Sequence, residues 1–168
     1  MVNSSPLQSV RILPADYANK IHAQALVTLL DAYARDPAGG GEPLSDFARA
    51  NVVHELGRRP QAFSVLAFDG PEPVGLVNAI KGFSTFACRP LVNVHDVAVA
   101  ASHRRRGIAA LMLAEVERIA RGRGACKLTL EVLSGNGSAR RLYERLGFAD
   151  FQLDPAMGQA QFLQKWLA

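Results

Sequence analysis

Val97-Ala98-Val99-Ala100-Ala101-Ser102-His103-Arg104-Arg105-Arg106-Gly107-Ile108-Ala109 is the stretch that decides how this chain is read. Val97 to Val99 close an apolar run, and Ile108 opens a strong helical pattern. Three arginines and a glycine stand between them. A strand that breaks into a basic, glycine-containing turn and then starts a helix makes a place for phosphate. The first-turn N–H groups of a helix have no intrahelical partner, and the dipole adds partial positive charge at that end. Gly107 lets the backbone pass close to a bound group, and Ala109 keeps the next position small.

Outward from this stretch, residues 91–99 form a near-continuous apolar run interrupted by Asn93, His95 and Asp96, which suits a central strand covered on both faces. Leu111, Met112, Val116 and Ile119 keep helical register over 108–121, ended by Gly122 and Gly124, and 127–132 (KLTLEV) reads as the next strand. Strand, helix and strand form a crossover, so those two strands are expected to be parallel and right-handedly connected. A further helix spans 136–146 with Gly147 as its stop, and 148–153 with 161–167 are expected to add a last pair of strands. On the N-terminal side, a short strand at 9–13 precedes an amphipathic helix over 15–35, which ends where Asp36 meets Pro37. Ser45 caps a second helix that stops at Gly57. Strands at 62–68 and 73–81 form a hairpin through Asp69-Gly70-Pro71-Glu72. The glycines of the 36–43 loop precede no G-K-S/T, so they read as a rim beside a pocket.

The order β-α-α-β-β-β-α-β-α-β-β gives an α/β fold: a mixed central sheet of about six to seven strands flanked by four helices. With 168 residues, 49% of them hydrophobic, the chain supports one domain over 1–168. Lys and Arg total 19 against 15 Asp and Glu, a formal charge of +4 that favours anionic ligands without requiring nucleic acid. Cys88 and Cys126 form no C-x-x-C, and His22, His54, His95 and His103 have no metal-ligand spacing, so no metal is expected. The N-terminus lacks a signal-peptide pattern, and no run approaches the roughly 18 apolar residues of a membrane span. A soluble cytoplasmic protein with no membrane partner is the expectation.

Two motifs now stand in order. Arg104-x-x-Gly107-x-Ala109 matches R/Q-x-x-G-x-G/A, and Asn136-x-x-Ala139-x-x-x-Tyr143-x-x-x-Gly147-Phe148 matches N-x-x-A-x-x-x-Y-x-x-x-G-F. Together, at this spacing, they resemble the core of the GNAT superfamily of N-acetyltransferases over about residues 93–148. The resemblance implies acetyl-CoA as co-substrate and acetyl transfer to an amine by direct attack on the thioester. It implies that Val97 and Val99 offer main-chain groups to the pantetheine arm, like an added strand. The amides of Arg104, Arg105, Arg106, Gly107, Ile108 and Ala109 would surround the pyrophosphate, with Asn136 approaching from the neighbouring helix. Tyr143 would stand near the sulfur as general acid. A phenol of pKa ~10 is protonated at neutral pH and can serve a departing thiolate of pKa ~8.5.

An alkyl amine of pKa ~10.4 is only about one part in a thousand neutral at pH 7, a deficit of about 4 kcal/mol that a base relieves. Many members of the superfamily carry a glutamate four residues before the position of Val97, where this chain has Asn93. Three sources of a base stay open: His95, Asp96 and a water chain. Regular alternation puts His95 on the face of Asn93 and Val97, with Asp96 turned away unless a bulge intervenes. Tyr33, Asp36, Phe83, Phe86 and Asn93 are the candidates for the acceptor side. The acceptor is a small-molecule amine or a protein lysine, and the resemblance is compatible with a homodimer. Two rival readings are an acyl-CoA sensor without catalysis and a nucleic-acid module using the arginines. The basic run has no interleaved aromatics, which opposes the second.

Overall fold

The computed structural model describes residues 10–151, 154–158 and 160–167. It divides into two compact units, Met1–Leu130 and Glu131–Ala168.

The first unit is built on a five-stranded sheet in the order β1 (Val10–Pro14), β2 (Ala62–Asp69), β3 (Glu72–Ser84), β4 (Arg89–Val99), β5 (Leu128–Leu130). The first four strands run antiparallel, and β5 lies parallel to β4 after the crossover helix α3 (Ile108–Gly122). The β2–β3 hairpin turns through Gly70 at φ +57 and Pro71, a tight connection that needs a residue tolerant of positive φ at its first position.

Helix α1 (Lys20–Arg35) starts five residues later than its apolar pattern does. Asn19 caps it, accepting from the Ile21 and His22 N–H groups at 2.9 and 3.4 Å. Asp36, held extended ahead of Pro37, ends it. Helix α2 (Asp46–Gly57) begins at Ser45, whose Oγ accepts from the Ala48 N–H at 3.1 Å.

The register sorts the sheet into two faces. Leu66, Leu76 and Ala98 stand opposite one another and pack with Ala25, Leu26 and Leu29 of α1. Each fully buried leucine contributes about 1.5–3 kcal/mol. Val65, Val77 and Val97 form the corresponding row on the other face, and Gly75 belongs to that side. A Cβ on Gly75 would come within 2.8 Å of Met112 Cε and 3.2 Å of the Ala67 Cβ, so a larger residue there would displace the Met112 side chain.

The second unit contains α4 (Gly137–Arg145) and a short 3-10 turn at Pro155–Met157. Here the expected closing strands are overturned. Residues 148–151 and 161–167 are not strand, while Gln152 and Leu153 fall outside the described residues. Among the described residues, five strands therefore stand where six or seven were expected. The reason is in the pattern: Phe162-Leu163 and Trp166-Leu167 are adjacent apolar pairs without alternation, and all four side chains are exposed. The expected first strand likewise begins at Val10, with Ser9 outside the described residues. β5 is three residues long because it pairs with β4 only at Val92, Asn93 and Val94.

Candidate functional site

The decisive local event is in β4. Asn78 of β3 faces Asp96 and Ala79 faces Val94, so His95 has no opposite residue. It is a bulge. The extra residue shifts the pleat, so Asp96 and Ala98 point to the α1 face while Val97 and Val99 line up with Val77 and Gly75 on the α3 face. Regular alternation had grouped Val97 with Asn93 and His95, and the bulge reverses that grouping. The bulge also follows directly on the last residue that β5 pairs with. Beyond it, no strand among the described residues pairs with the outer edge of β4 at 96–99. An extended chain can be held there by main-chain groups.

On the α1 face, one position past Leu66–Leu76–Ala98 in the ladder of same-side rows, lies a polar row. Asp96 Oδ2 accepts from Asn78 Nδ2 at 3.0 Å, and Asn78 Oδ1 accepts from Ser64 Oγ at 2.6 Å. The Tyr17 hydroxyl is 2.9 Å from the same Ser64 Oγ. Ser64 and Asn78 are buried. Neither was singled out in the sequence, although each is a lone polar residue inside an apolar strand run (AFSVLAF, GLVNAI). Tyr33 reaches this neighbourhood from α1. Its phenol is pushed above the usual range first by burial and then by the charges of Asp96 and Asp36.

The remaining acceptor-side candidates divide. Asn93 spans the two parallel strands, its Nδ2 donating to Thr129 Oγ1 at 3.0 Å. His95 is exposed at the bulge. Phe83 and Phe86 are 59% and 92% exposed near the far end of the β3–β4 hairpin. Phe83 lies five positions along β3 from Asn78, or roughly 16 Å at the usual strand rise, so the structure does not gather it with Tyr33.

The loop after β4 is held from several sides. The Ala100 N–H donates to the Val74 carbonyl at 2.9 Å, and a 3-10 turn spans Ala101–His103. His103 is nearly buried, with Nε2 3.3 Å from Asp69 Oδ2 and Nδ1 2.8 Å from Ser102 Oγ. Arg106 reaches the same Asp69 oxygen at 3.4 Å. Arg104 donates to the Val99 carbonyl at 3.1 Å and to Asp36 at 2.9 Å. The Ala38 N–H and then the Arg104 guanidinium hold the Asp36 carboxyl below its usual range. Two of the three arginine side chains thus fasten the loop. Arg105 stays exposed at φ +61, with no ion-pair partner among the described residues.

Gly107 is the N-cap of α3 at φ +80, with no side chain capping the helix. Among the described residues, the N–H groups of Gly107, Ile108, Ala109 and Ala110 find no acceptor. A Cβ placed on Gly107 meets nothing within 4 Å. Unsatisfied donors at a helix mouth, with open space before them and a free guanidinium beside them, fit a diphosphate.

In the second unit, Asn136 uses its Oδ1 to accept from the Ala139 N–H at 3.2 Å and so caps α4. The Tyr143 ring meets Phe148 edge-on at 5.8 Å between centroids, and the Tyr143 carbonyl accepts from the Phe148 N–H at 2.9 Å. Gly147 at φ +87 turns the chain so that both contacts form. Among the described residues, no helix is long and apolar enough to cross a membrane.

Comparison with known proteins bears on these features. The model of the acetyltransferase (GNAT) family matches residues 24–148. A streptothricin acetyltransferase of Streptomyces lavendulae is 36% identical over 89 residues, 51% of this chain and 47% of that protein. The match therefore spans about half the length of this curated relative. Among solved structures, a probable acetyltransferase superposes with a TM-score of 0.78 at 21% identity, covering 94% of this chain and 99% of the other. The aminoglycoside N-acetyltransferase AAC(6')-Iy, in complex with CoA, superposes at 0.71 with 21% identity, covering 93% and 94%. At these identities the structures speak for the fold.

Proposed function

Since this chain belongs to the acetyltransferase (GNAT) family, we propose that it transfers the acetyl group of acetyl-CoA to an amine of a small molecule. The observation that carries the reading is the mouth of α3, with its unpaired N–H groups from Gly107 to Ala110 and the space in front of Gly107. Those amides, with the Arg105 guanidinium, are the groups that would hold the diphosphate. The open edge of β4 at Val97 and Val99 would hold the pantetheine arm through main-chain hydrogen bonds. Bound there, acetyl-CoA supplies an acetyl group already activated as a thioester.

Asp96 is the base in this reading. Asn78 occupies one of its carboxylate oxygens, and the other, Oδ1, takes the proton of the acceptor's ammonium. The negative charge at Asp96 also favours a cationic acceptor. Streptothricin-type or aminoglycoside-type amines, the acceptors named for the similar proteins, are the class proposed here. Tyr143 is proposed as the proton donor, and Asn136 as a cofactor contact, on the strength of their motif. The whole chain is read as one N-acetyltransferase domain acting in the cytoplasm, with a cofactor-binding core over about 93–148.

Titration calorimetry with acetyl-CoA, followed by assay of CoA release with streptothricin and sisomicin, tests the proposal. Saturable binding and acceptor-dependent release are expected. Absence of heat at millimolar acetyl-CoA on folded protein would overturn it. Binding without release from any amine would leave an acyl-CoA sensor. Tyr143→Phe should lower kcat about 10–100-fold while leaving the acetyl-CoA Kd unchanged. An unchanged kcat removes Tyr143 from the acid role.

A further inference from the structure

We infer that Asn78 is a positioning residue for Asp96, aimed by a one-way chain of hydrogen bonds that starts at Tyr17 and passes through Ser64. The inference rests on the reading of Asp96 as base given above. The direction of the chain follows from the inventory of donors. An ionised carboxylate only accepts, so the Asn78 amide must present its NH2 to Asp96 Oδ2, as the 3.0 Å contact has it. Its carbonyl oxygen then faces Ser64 and can only accept, at 2.6 Å. Ser64 has a single hydroxyl proton, which that bond uses. The 2.9 Å contact between Tyr17 and Ser64 is therefore donated by the tyrosine. Three donors point the same way and end on one carboxylate oxygen.

Each bond in such a chain polarises the next, and burial strengthens the effect. Ser64 is 1% and Asn78 5% exposed, so both exchange little with water. The side chains sit on rigid elements: Ser64, Asn78 and Asp96 are mutual register partners across β2, β3 and β4. Tyr17 packs on the core beside Gly57, whose Cβ position would be 3.5 Å from the Tyr17 Cβ. Burial raises the Tyr17 phenol, opposed by the Ser64 bond and the Arg123 charge, and so keeps it a donor at neutral pH.

The arrangement has a chemical use. With Oδ2 fixed by Asn78, the Asp96 carboxylate cannot rotate freely, and Oδ1 stays oriented toward an incoming ammonium. A carboxylate at a bulge with no such clamp would sample several rotamers and lose part of its effective concentration. Sheet packing alone does not require a serine and an asparagine here, since the neighbouring row fills the same positions with Leu66 and Leu76.

A matched pair of variants separates the hydroxyl from the packing. Ser64→Thr and Ser64→Val have nearly the same volume and differ in the hydroxyl alone. In 15N-labelled protein without ligand, the side-chain amide protons of Asn78 should keep their downfield shift in S64T and move upfield in S64V and D96N. Equal shifts in S64T and S64V would overturn the chain. In the assay, using acetyl-CoA and the faster of streptothricin and sisomicin, S64V should lose about tenfold in kcat relative to S64T, at unchanged KM for acetyl-CoA. Tyr17→Phe should lose about threefold.

In a D96N background the S64V and S64T enzymes should become equal, because the chain then ends on no base. Equal kcat for S64V and S64T in the native background overturns the positioning role. If D96N itself keeps full kcat, the base assignment fails, and the amide-proton result still reports separately on the chain. Failure of both amines to react removes the activity that the role serves and overturns it as well.

Discussion

The mouth of α3 and the polar row on the α1 face are two ways of building a binding surface from one sheet. At the mouth of α3 the working groups are main-chain N–H donors, and side chains matter by being absent (Gly107) or by fastening the loop (Arg104, Arg106). On the α1 face the working groups are side chains drawn from three strands and the segment before α1, brought together by register. The first surface is local in sequence and open to solvent. The second is assembled over long separations, with Ser64 and Asn78 buried and Tyr17 and Asp96 half-buried. A backbone cradle tolerates many side chains and fails through conformation, whereas a side-chain row fails through chemistry.

Substitutions separate the two surfaces. The largest effect is expected from Gly107→Glu, which puts a negative side chain into the space before the free amides at a φ of +80. Calorimetry should detect no acetyl-CoA binding, while Gly107→Ala should cost roughly 1–2 kcal/mol of backbone strain, or about tenfold in affinity. Retained binding in G107E would move the diphosphate elsewhere. Next, Asp96→Asn should reduce kcat by about 100-fold or more without altering the acetyl-CoA Kd. A change in Kd instead would merge the two regions into one.

Arg105→Ala should weaken acetyl-CoA binding about three- to tenfold, with a shallower dependence on salt, because an exposed guanidinium contributes a screened contact. The smallest effect belongs to the α1 face. Tyr33 has its phenol raised by burial and by Asp96 and Asp36, so its folded-state contribution is present below about pH 10 and is lost as pH rises through the raised value. Alkaline titration followed by tyrosinate absorbance should show a late-ionising group that Tyr33→Phe removes. Asp96→Asn should shift that step to lower pH, since it takes away a neighbouring negative charge.

What could be read from the sequence follows the same division. The α3 mouth was legible because its determinants are contiguous: an apolar strand, a glycine that accepts positive φ, and a helix with no capping side chain. The α4 motif was legible for the same reason, since Asn136 caps and Gly147 stops the helix within a dozen residues. Tyr17, Ser64 and Asn78 were not. Their partnership depends on which strands are neighbours and in what register, and periodicity within one strand carries neither. The bulge at His95 was legible only as an option, because nothing in NVHDV distinguishes a regular pleat from a shifted one. The closing strands were overread from hydrophobicity at 161–167, where composition suits a strand but the order of residues does not. Phe83 and Phe86 were aromatic residues at a hairpin end, and their exposure keeps them apart from Tyr33.

The unmatched residue in β4 also changes what kind of alteration this strand can absorb. His95 touches no counterpart on β3, so its side chain can be exchanged at small cost to the sheet. Removing the position altogether acts on the bend of the strand and not on its pairing. A β4 shorter by this one residue would re-zip as a flat ladder with its pairs kept, Val94 on Ala79 and Asp96 on Asn78, so the carboxylate would stay on the α1 face and only the local bend would be lost. In this segment the extra residue governs where the strand bends, and the cross-strand pairing governs which side of the sheet carries the charge.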